Sequence, residues 1–396
     1  MTYKNFFNQA ISDLKEDQNY REFLELYRIA GQFPYAYNFK TNRKIVIWCS
    51  NDYLGMGQNN TVINVLKQAA DKYGAGAGGT RNISGNSHPL VQLESDIAAI
   101  HKKDSALVFS SGYIANFTTL KTLVQILGDL VVFSDAGNHA SIIEGIRSSG
   151  VKREIFKHNN TADLEAKLKQ YPQDQKKLIV FESVYSMSGN IAPIKDVAAL
   201  AKKYNALTYI DEVHSIGLYG KYGEGITTSL GLEKKIDIIQ GTFGKAVGLV
   251  GGYITGNSEI IDVIRSFGSG FIFTTALQPA TCEAIRASLA HLSKSDIPER
   301  NIFFHKVKKL KELLVSNNID FLDNPGHIIP VMIRDAERVK KVSENLLNKH
   351  DIYLQPINYP TVPKGTERLR VIITPFHSEF LMNKLVTALR EELDLA

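Results

Sequence analysis

The chain has 396 residues, 44% of them hydrophobic and 22% charged, enough apolar content to bury a sizeable core and too much for a disordered chain. Two cysteines, Cys49 and Cys282, fit neither a zinc-ribbon spacing nor a disulfide framework, which points to a reducing compartment. The formal charge of +5 is modest, and basic pairs such as Lys102-Lys103 and Lys234-Lys235 are scattered, so the basic stripe that nucleic-acid binding requires is missing.

The first residues from Met1 lack the apolar run of a secretory signal, and Asp13, Glu16 and Asp17 are out of place in an arginine-rich, acid-poor transit peptide. The expectation is a cytoplasmic enzyme of bacterial type, with residues 1–50 forming an N-terminal arm. Next, Asn60 to Tyr73 places Val62, Val65, Leu66, Ala69 and Tyr73 on one helical face, with Asn60 or Thr61 as cap and Gly74 as stop. Compact apolar runs of strand length follow: Ser105–Ser110, Asp129–Ser134, Lys177–Phe181, Ala206–Ile210 and Ile236–Gln240. Helical patterns such as Thr161–Tyr171 and Ile194–Tyr204 separate them. Such alternation predicts an α/β fold with a large doubly wound, mostly parallel sheet domain over residues 51–290. The longest apolar stretch, about Ala246 to Ile254, is broken by glycines and falls far short of the roughly 18 residues of a membrane span. Beyond Pro298 a polar helix (Phe303–Asn317), strands near Ile328–Ile333 and Leu369–Ile373 and a last helix (Glu379–Leu393) predict a smaller α+β C-terminal domain over residues 291–396.

Glycine is unevenly spread: five fall in Gly74 to Gly85 and six in Gly241 to Gly256. Glycine costs backbone entropy wherever the chain orders, so such clusters mark sharp turns or close approach to a ligand. In open α/β sheets ligands bind past the carboxyl ends of the strands, and the polar residues there form a short list. Ser110-Ser111-Gly112-Tyr113, Asn138-His139, Glu182 to Ser186, Asp211-Glu212-Val213-His214 and Gly241-Thr242-Phe243-Gly244-Lys245 each follow a predicted strand.

Lys245 does not belong to a nucleotide P-loop, because Ile239 stands where the first glycine is needed and Ala246 follows the lysine. A lysine on a tight turn can form a Schiff base once desolvation lowers its pKa, or can simply sit at the surface. Asp211, His214 and His139 allow a metal-site reading; with Lys245 they also suit pyridoxal phosphate. That cofactor needs a lysine, a carboxylate against its ring nitrogen, a ring stacked on its face and a cup of donors for its phosphate.

The motif set resembles the α-oxoamine synthases, pyridoxal-phosphate enzymes of fold type I, with an aspartate-aminotransferase-like architecture. The similarity runs through Trp48–Met56, Gly74–Gly85, Gly137–Ser141, Asp211–His214, Gly241–Ala246, Gly270–Thr275 and Ile357–Gly365. Members are acyltransferases that condense an amino acid with an acyl-CoA and release carbon dioxide. The stretches Thr80–Ser84 and Asn358–Thr361 are most similar to members that take glycine and succinyl-CoA.

The resemblance implies that Lys245 holds pyridoxal 5'-phosphate and moves the glycine α-proton, that Asp211 pairs with the ring nitrogen, that His139 stacks on the ring, and that His214 bonds its phenolic oxygen. It implies that Ser111, Gly112, Tyr113, Ser186 and Thr242 surround the cofactor, with Thr274 and Thr275 reaching in from the second subunit of a homodimer with shared sites. Arg370 takes the glycine carboxylate, near Asn51 and Ser186. Arg21, Thr80 and Asn82 take the succinyl carboxylate, and Ile83, Ser134 and Thr361 complete the substrate-binding set; no metal is implied. Four positions depart from the family pattern, Ser188 for aspartate, Pro89-Leu90 for a Tyr-His or similar pair and Phe243 for leucine, none of them given a chemical role.

Overall fold

The computed structural model describes residues 2–394, and the chain divides into two compact units. One, the sheet unit, comprises Leu54–Ser186 and Asn190–Asn301; the other, the terminal unit, comprises the chain up to Tyr53, Met187–Gly189 and the chain from Ile302 onward.

The sheet unit carries seven strands: β1 (Ser105–Phe109), β2 (Leu130–Asp135), β3 (Lys152–Phe156), β4 (Lys176–Glu182), β5 (Leu207–Asp211), β6 (Ile238–Thr242) and β7 (Gly252–Gly256). They lie in the order β1-β7-β6-β5-β4-β2-β3. The ladders β6-β5-β4-β2-β3 are parallel throughout, while β7 runs antiparallel to both its neighbours. With one reversed strand among seven, the sheet is mostly parallel, as the alternation of strands and helices predicts. All six residues of β2 and all but the first of β4 are buried, as the unbroken β-branched runs require of a sheet covered on both faces. Leu107, Phe109, Val132, Val180, Tyr209 and Ile254 contribute from the strands to one core cluster with Ala115, Leu120 and Ile264 from the helices.

Two strands escape the sequence reading for opposite reasons. Lys152–Phe156 is an edge strand, so its Lys-Arg-Glu start faces solvent and hides the apolar signal. Gly252–Gly256 begins and ends in glycine, so its pattern reads as turn rather than strand. The helix Asn60–Tyr73 is capped one residue earlier than its pattern suggests: the Asn59 side chain accepts from Thr61 N at 2.9 Å and Val62 N at 3.4 Å.

In the terminal unit, Leu26–Tyr27, Tyr35–Asn38 and Arg43–Ile47 form an antiparallel meander that Ile352–Tyr353 joins in parallel. A second sheet orders Ile329–Met332, Arg368–Val371 and Pro356–Ile357, with helices Ala336–His350 and Glu379–Glu392 in the same unit. His377 ties its two ends together. It is fully buried and stacks at 3.9 Å on Trp48; its Nδ1 accepts from Thr374 N at 3.0 Å and its Nε2 donates to Ile47 O at 3.0 Å. Burial holds its pKa down at about 3, so the ring is neutral and supplies one acceptor and one donor. His377→Ala removes packing and leaves Ile47 O without its donor. The expected cost is about 2–4 kcal/mol, checked as a fall of several degrees in the melting temperature.

Candidate active site

Because the parallel strands point the same way, the residues after β1, β2, β4, β5 and β6 meet at one edge of the sheet. After β1 the chain turns into α1 (Gly112–Leu127), whose cap residue Ser111 accepts from Ile114 N at 3.2 Å. No acidic residue stands in the first turn of this 16-residue helix, so its free N–H groups and dipole form an anion cup. Gly112 has to be glycine-sized on its sheet side: a Cβ would lie 3.1 Å from Gln240 Nε2 and 3.5 Å from Thr242 Oγ1. A Cβ on Gly252 would run into the backbone of Gly112, so the helix start is pressed directly onto β7.

Asp211, at the end of β5, is 3% exposed, and both its oxygens accept: Oδ2 from Asn116 Nδ2 at 2.8 Å and Oδ1 from Val213 N at 3.0 Å. His139 follows β2 and opens α2 (Ala140–Arg147) as its cap. Its loop is pinned residue by residue. Gly137 N donates to Asp135 Oδ1 at 2.7 Å, Asn138 Nδ2 donates to Ser134 Oγ at 2.9 Å and Val180 O at 2.8 Å, and His139 N donates to Glu182 Oε1 at 2.6 Å. Burial lowers the His139 pKa; the Asp211 carboxylate pulls it back up and Lys245 pushes it down. Glu182, 1% exposed and paired in register with Asp211 across β4 and β5, has a carboxyl pKa pushed well up by burial and then by Asp211. The charge of Lys245 is felt at both His139 and Glu182, which places all four groups in one electrostatic neighbourhood.

Lys245 sits half-buried in the loop between β6 and β7. The loop is closed by backbone bonds from Phe243 N to Gly251 O (3.0 Å), Leu249 N to Phe243 O (2.7 Å) and Gly248 N to Lys245 O (2.8 Å). Thr242 Oγ1 donates to Gly251 O at 2.8 Å and accepts from Gly244 N at 3.2 Å, which fixes the residue before the turn. The glycines here mainly let protein pack on protein: a Cβ on Gly241 would collide with the Tyr253 ring, which in turn lies 5.2 Å from Phe243. Of the two uses expected of such a cluster, the sharp turn is the one seen around Lys245.

His214 is buried three residues past Asp211, Ser134 is buried and already bonded to Asn138, Ser186 is half-buried, and Tyr113 is exposed at the start of α1. A second group gathers elsewhere in the sheet unit. Thr80 bridges Thr275, Ala276 N donates to Gly79 O at 3.1 Å, and Thr80 Oγ1 donates to Asn82 Oδ1 at 2.7 Å. Arg81 anchors this segment through two bonds to Glu94 (2.7 and 2.9 Å), while Ile83 points outward, 75% exposed, with Thr274 half-buried nearby in sequence to exposed Thr275. The terminal unit holds the other expected residues in two pairs. Arg370, 7% exposed, donates to Asn51 Oδ1 at 3.0 Å and to Tyr53 OH at 3.1 Å; Arg21, exposed, donates to Thr361 Oγ1 at 2.9 Å.

Sequence reasoning missed Glu182 as a partner of His139 and Asn116 as a partner of Asp211. The signal for Asn116 was an amide among the small and apolar residues that α1 buries, and for Glu182 a carboxylate directly after the apolar run Leu178–Phe181. The metal reading of Asp211, His214 and His139 gains no support: among the described residues no three His, Cys, Asp or Glu side chains gather to hold an ion. The donor set fits pyridoxal phosphate instead, with an acid-free helix start for a phosphate, a buried carboxylate held by neutral donors, an imidazole fixed on its loop and a lysine on a closed turn.

This fold and donor set define the class, the pyridoxal-phosphate enzymes of fold type I. The family model for aminotransferase class I and II matches residues 43–389. A solved serine palmitoyltransferase carrying pyridoxal phosphate superposes with a TM-score of 0.90 at 28% identity, covering 99% of this chain and 98% of that one. The 5-aminolevulinate synthase of Bradyrhizobium diazoefficiens is 48% identical over 100% of this chain and 97% of its own length, and that of Rhizobium meliloti 51% identical over 98% and 96%. The chain belongs to the 5-aminolevulinate synthase family and is a pyridoxal-phosphate-dependent acyltransferase.

Proposed function

We propose that the chain condenses glycine with succinyl-CoA to 5-aminolevulinate, CoA and carbon dioxide, the first step of tetrapyrrole (haem) biosynthesis. The observation that carries this reading is near-half identity over the whole length of two 5-aminolevulinate synthases, in a chain whose strand ends gather Lys245, Asp211 and His139. Pyridoxal phosphate, when bound, supplies the carbonyl that takes the glycine amine and the electron sink for charge at its α-carbon. Lys245 would remove the glycine α-proton, and Asp211 would keep a proton on the ring nitrogen. His139 would cover the ring face, His214 would bond the phenolic oxygen, and Ser111 and Gly112 would donate to the phosphate, with Thr242 beside them giving its hydroxyl proton to Gly251 O. Arg370 binds the glycine carboxylate with Asn51. Arg21, Thr80 and Asn82 take the succinyl carboxylate.

Two copies share each site in this reading, Thr274 and Thr275 of one serving the other. In support, that segment and its surroundings expose large apolar side chains: Phe273 is 80% exposed, Ile83 75% and Phe267 54%. The reading of a cytoplasmic enzyme rests on the similarity to the two bacterial relatives. Among the described residues no helix is long and apolar enough to cross a membrane.

The test compares CoA release from succinyl-CoA or acetyl-CoA with glycine and from pimeloyl-CoA with alanine. Succinyl-CoA with glycine is expected to dominate; a preference for pimeloyl-CoA with alanine would overturn the substrate assignment. Arg21→Leu is expected to lower kcat/KM for succinyl-CoA by about 10- to 100-fold, the worth of charge-assisted hydrogen bonds, while leaving butyryl-CoA within a few-fold.

A further inference from the structure

Asp211 and His139 are joined by a buried chain of side chains. Asn116 is 2% exposed, Ser141 1% and Tyr209 0%. Asn116 Nδ2 donates to Asp211 Oδ2 at 2.8 Å and to Ser141 Oγ at 2.9 Å, and Tyr209 OH donates to Asn116 Oδ1 at 2.6 Å. Ser141 Oγ in turn lies 2.8 Å from His139 Nδ1, and Ser141 N lies 3.2 Å from the same nitrogen.

The proton inventory fixes every direction in this chain. An ionised carboxylate only accepts, so the amide group facing Asp211 is the NH2, and its two hydrogens are both used. Ser141 Oγ accepts the second, which leaves its own proton for His139 Nδ1, where the Ser141 backbone N–H also points. Nδ1 is therefore an acceptor without a proton, and the ring proton sits on Nε2. A neutral ring here avoids a second positive charge beside Lys245, and burial favours the same state.

We propose that Asn116 and Ser141 are positioning residues that set the carboxylate of Asp211 and the Nε2–H tautomer of His139 together, so that one relay prepares both groups that face the cofactor. This deepens the functional reading above, since it takes the placement of Asp211 and His139 against pyridoxal phosphate from it.

The experiment labels the histidines of the holoenzyme with nitrogen-15, assigns His139 by its loss in His139→Asn, and reads which ring nitrogen carries the proton. In the parent protein Nε2 is expected to carry it. Ser141→Ala leaves only the 3.2 Å backbone donor on Nδ1. It is expected to let the Nδ1–H tautomer appear and to weaken retention of pyridoxal phosphate by about tenfold, the worth of one such hydrogen bond. Ser141→Thr keeps the hydroxyl and is expected to restore both readouts, which a purely structural role would not require. Asn116→Ala is expected to weaken retention further, because Asp211 loses a donor as well; should that variant fail to fold, the two Ser141 variants decide alone. A parent His139 protonated on Nδ1, or a Ser141→Ala variant with parental tautomer and parental retention, overturns the proposal. A parent protein that takes up no pyridoxal phosphate overturns the functional reading instead, and the tautomer, read in that same protein, still decides the relay.

Discussion

Lys245→Ala is expected to lower turnover by about 10⁴-fold or more and to remove the yellow colour of the cofactor-loaded protein. On the proposed reading Lys245 does two things: it holds the cofactor covalently through its amine, and it moves the glycine α-proton. General acid–base catalysis alone is worth about 10²–10⁴ in rate, and loss of covalent attachment adds to that. The fold should survive, because the turn around Lys245 is closed by main-chain bonds from Phe243, Leu249 and Gly248 that do not involve its side chain. Lys245→Arg keeps the charge but offers no deprotonated amine at working pH, so it is expected to be as inactive as the alanine variant. Absorbance spectra and single-turnover kinetics with glycine and succinyl-CoA provide the measurement. A colourless Lys245→Ala that still turns over at the parental rate would sink the assignment.

Asp211→Ala is the second large effect, expected to weaken binding of pyridoxal phosphate by about 10²- to 10³-fold. Removing one partner of a buried charged pair typically costs 3–5 kcal/mol, and each 1.4 kcal/mol is a factor of ten. The usual gentle substitution is not gentle here. Both oxygens of Asp211 accept an N–H, from Asn116 and from Val213, so Asp211→Asn must aim its own NH2 at one of those donors. That variant is expected to lose stability as well as affinity, whereas Asp211→Glu keeps the charge and is expected to recover part of the binding. Fluorescence titration of the cofactor-free protein distinguishes the cases. Parental affinity and kcat in Asp211→Ala would remove Asp211 from the site.

The sequence made the strand ends readable because each apolar run stops at a polar residue: Phe109 gives way to Ser110-Ser111, Phe133 to Ser134-Asp135, Ile210 to Asp211. What it hid was set by tertiary contact. Asn116 looks like an ordinary polar residue in a helix until the fold places it between Asp211 and Ser141. Glu182 carries no local mark of its partner, since the bond to His139 spans 43 residues. The reversed strand β7 was illegible for another reason: the glycines at its ends signal turns, and their true role, close packing against Gly112 and Asp237, exists only once the sheet has formed. The expected glycine carboxylate anchor, Arg370, was found through motif resemblance, yet its support from Asn51 and Tyr53 required chain segments more than 300 residues apart to be folded together.

The placement of β7 also fixes when a working pocket can exist. It is the last of the seven strands to be synthesised, and it lies between the first, β1, and the sixth, β6. Ser111 follows β1 and Lys245 follows β6, so the phosphate cup and the lysine become neighbours only after a strand made later has slotted between them. A growing chain that has emerged as far as Lys245 already carries Ser111, His139, Asp211 and Lys245 but not the strand that brings Ser111 and Lys245 to the same edge. On the proposed reading, the edge that would take the cofactor is completed only when one five-residue strand is inserted.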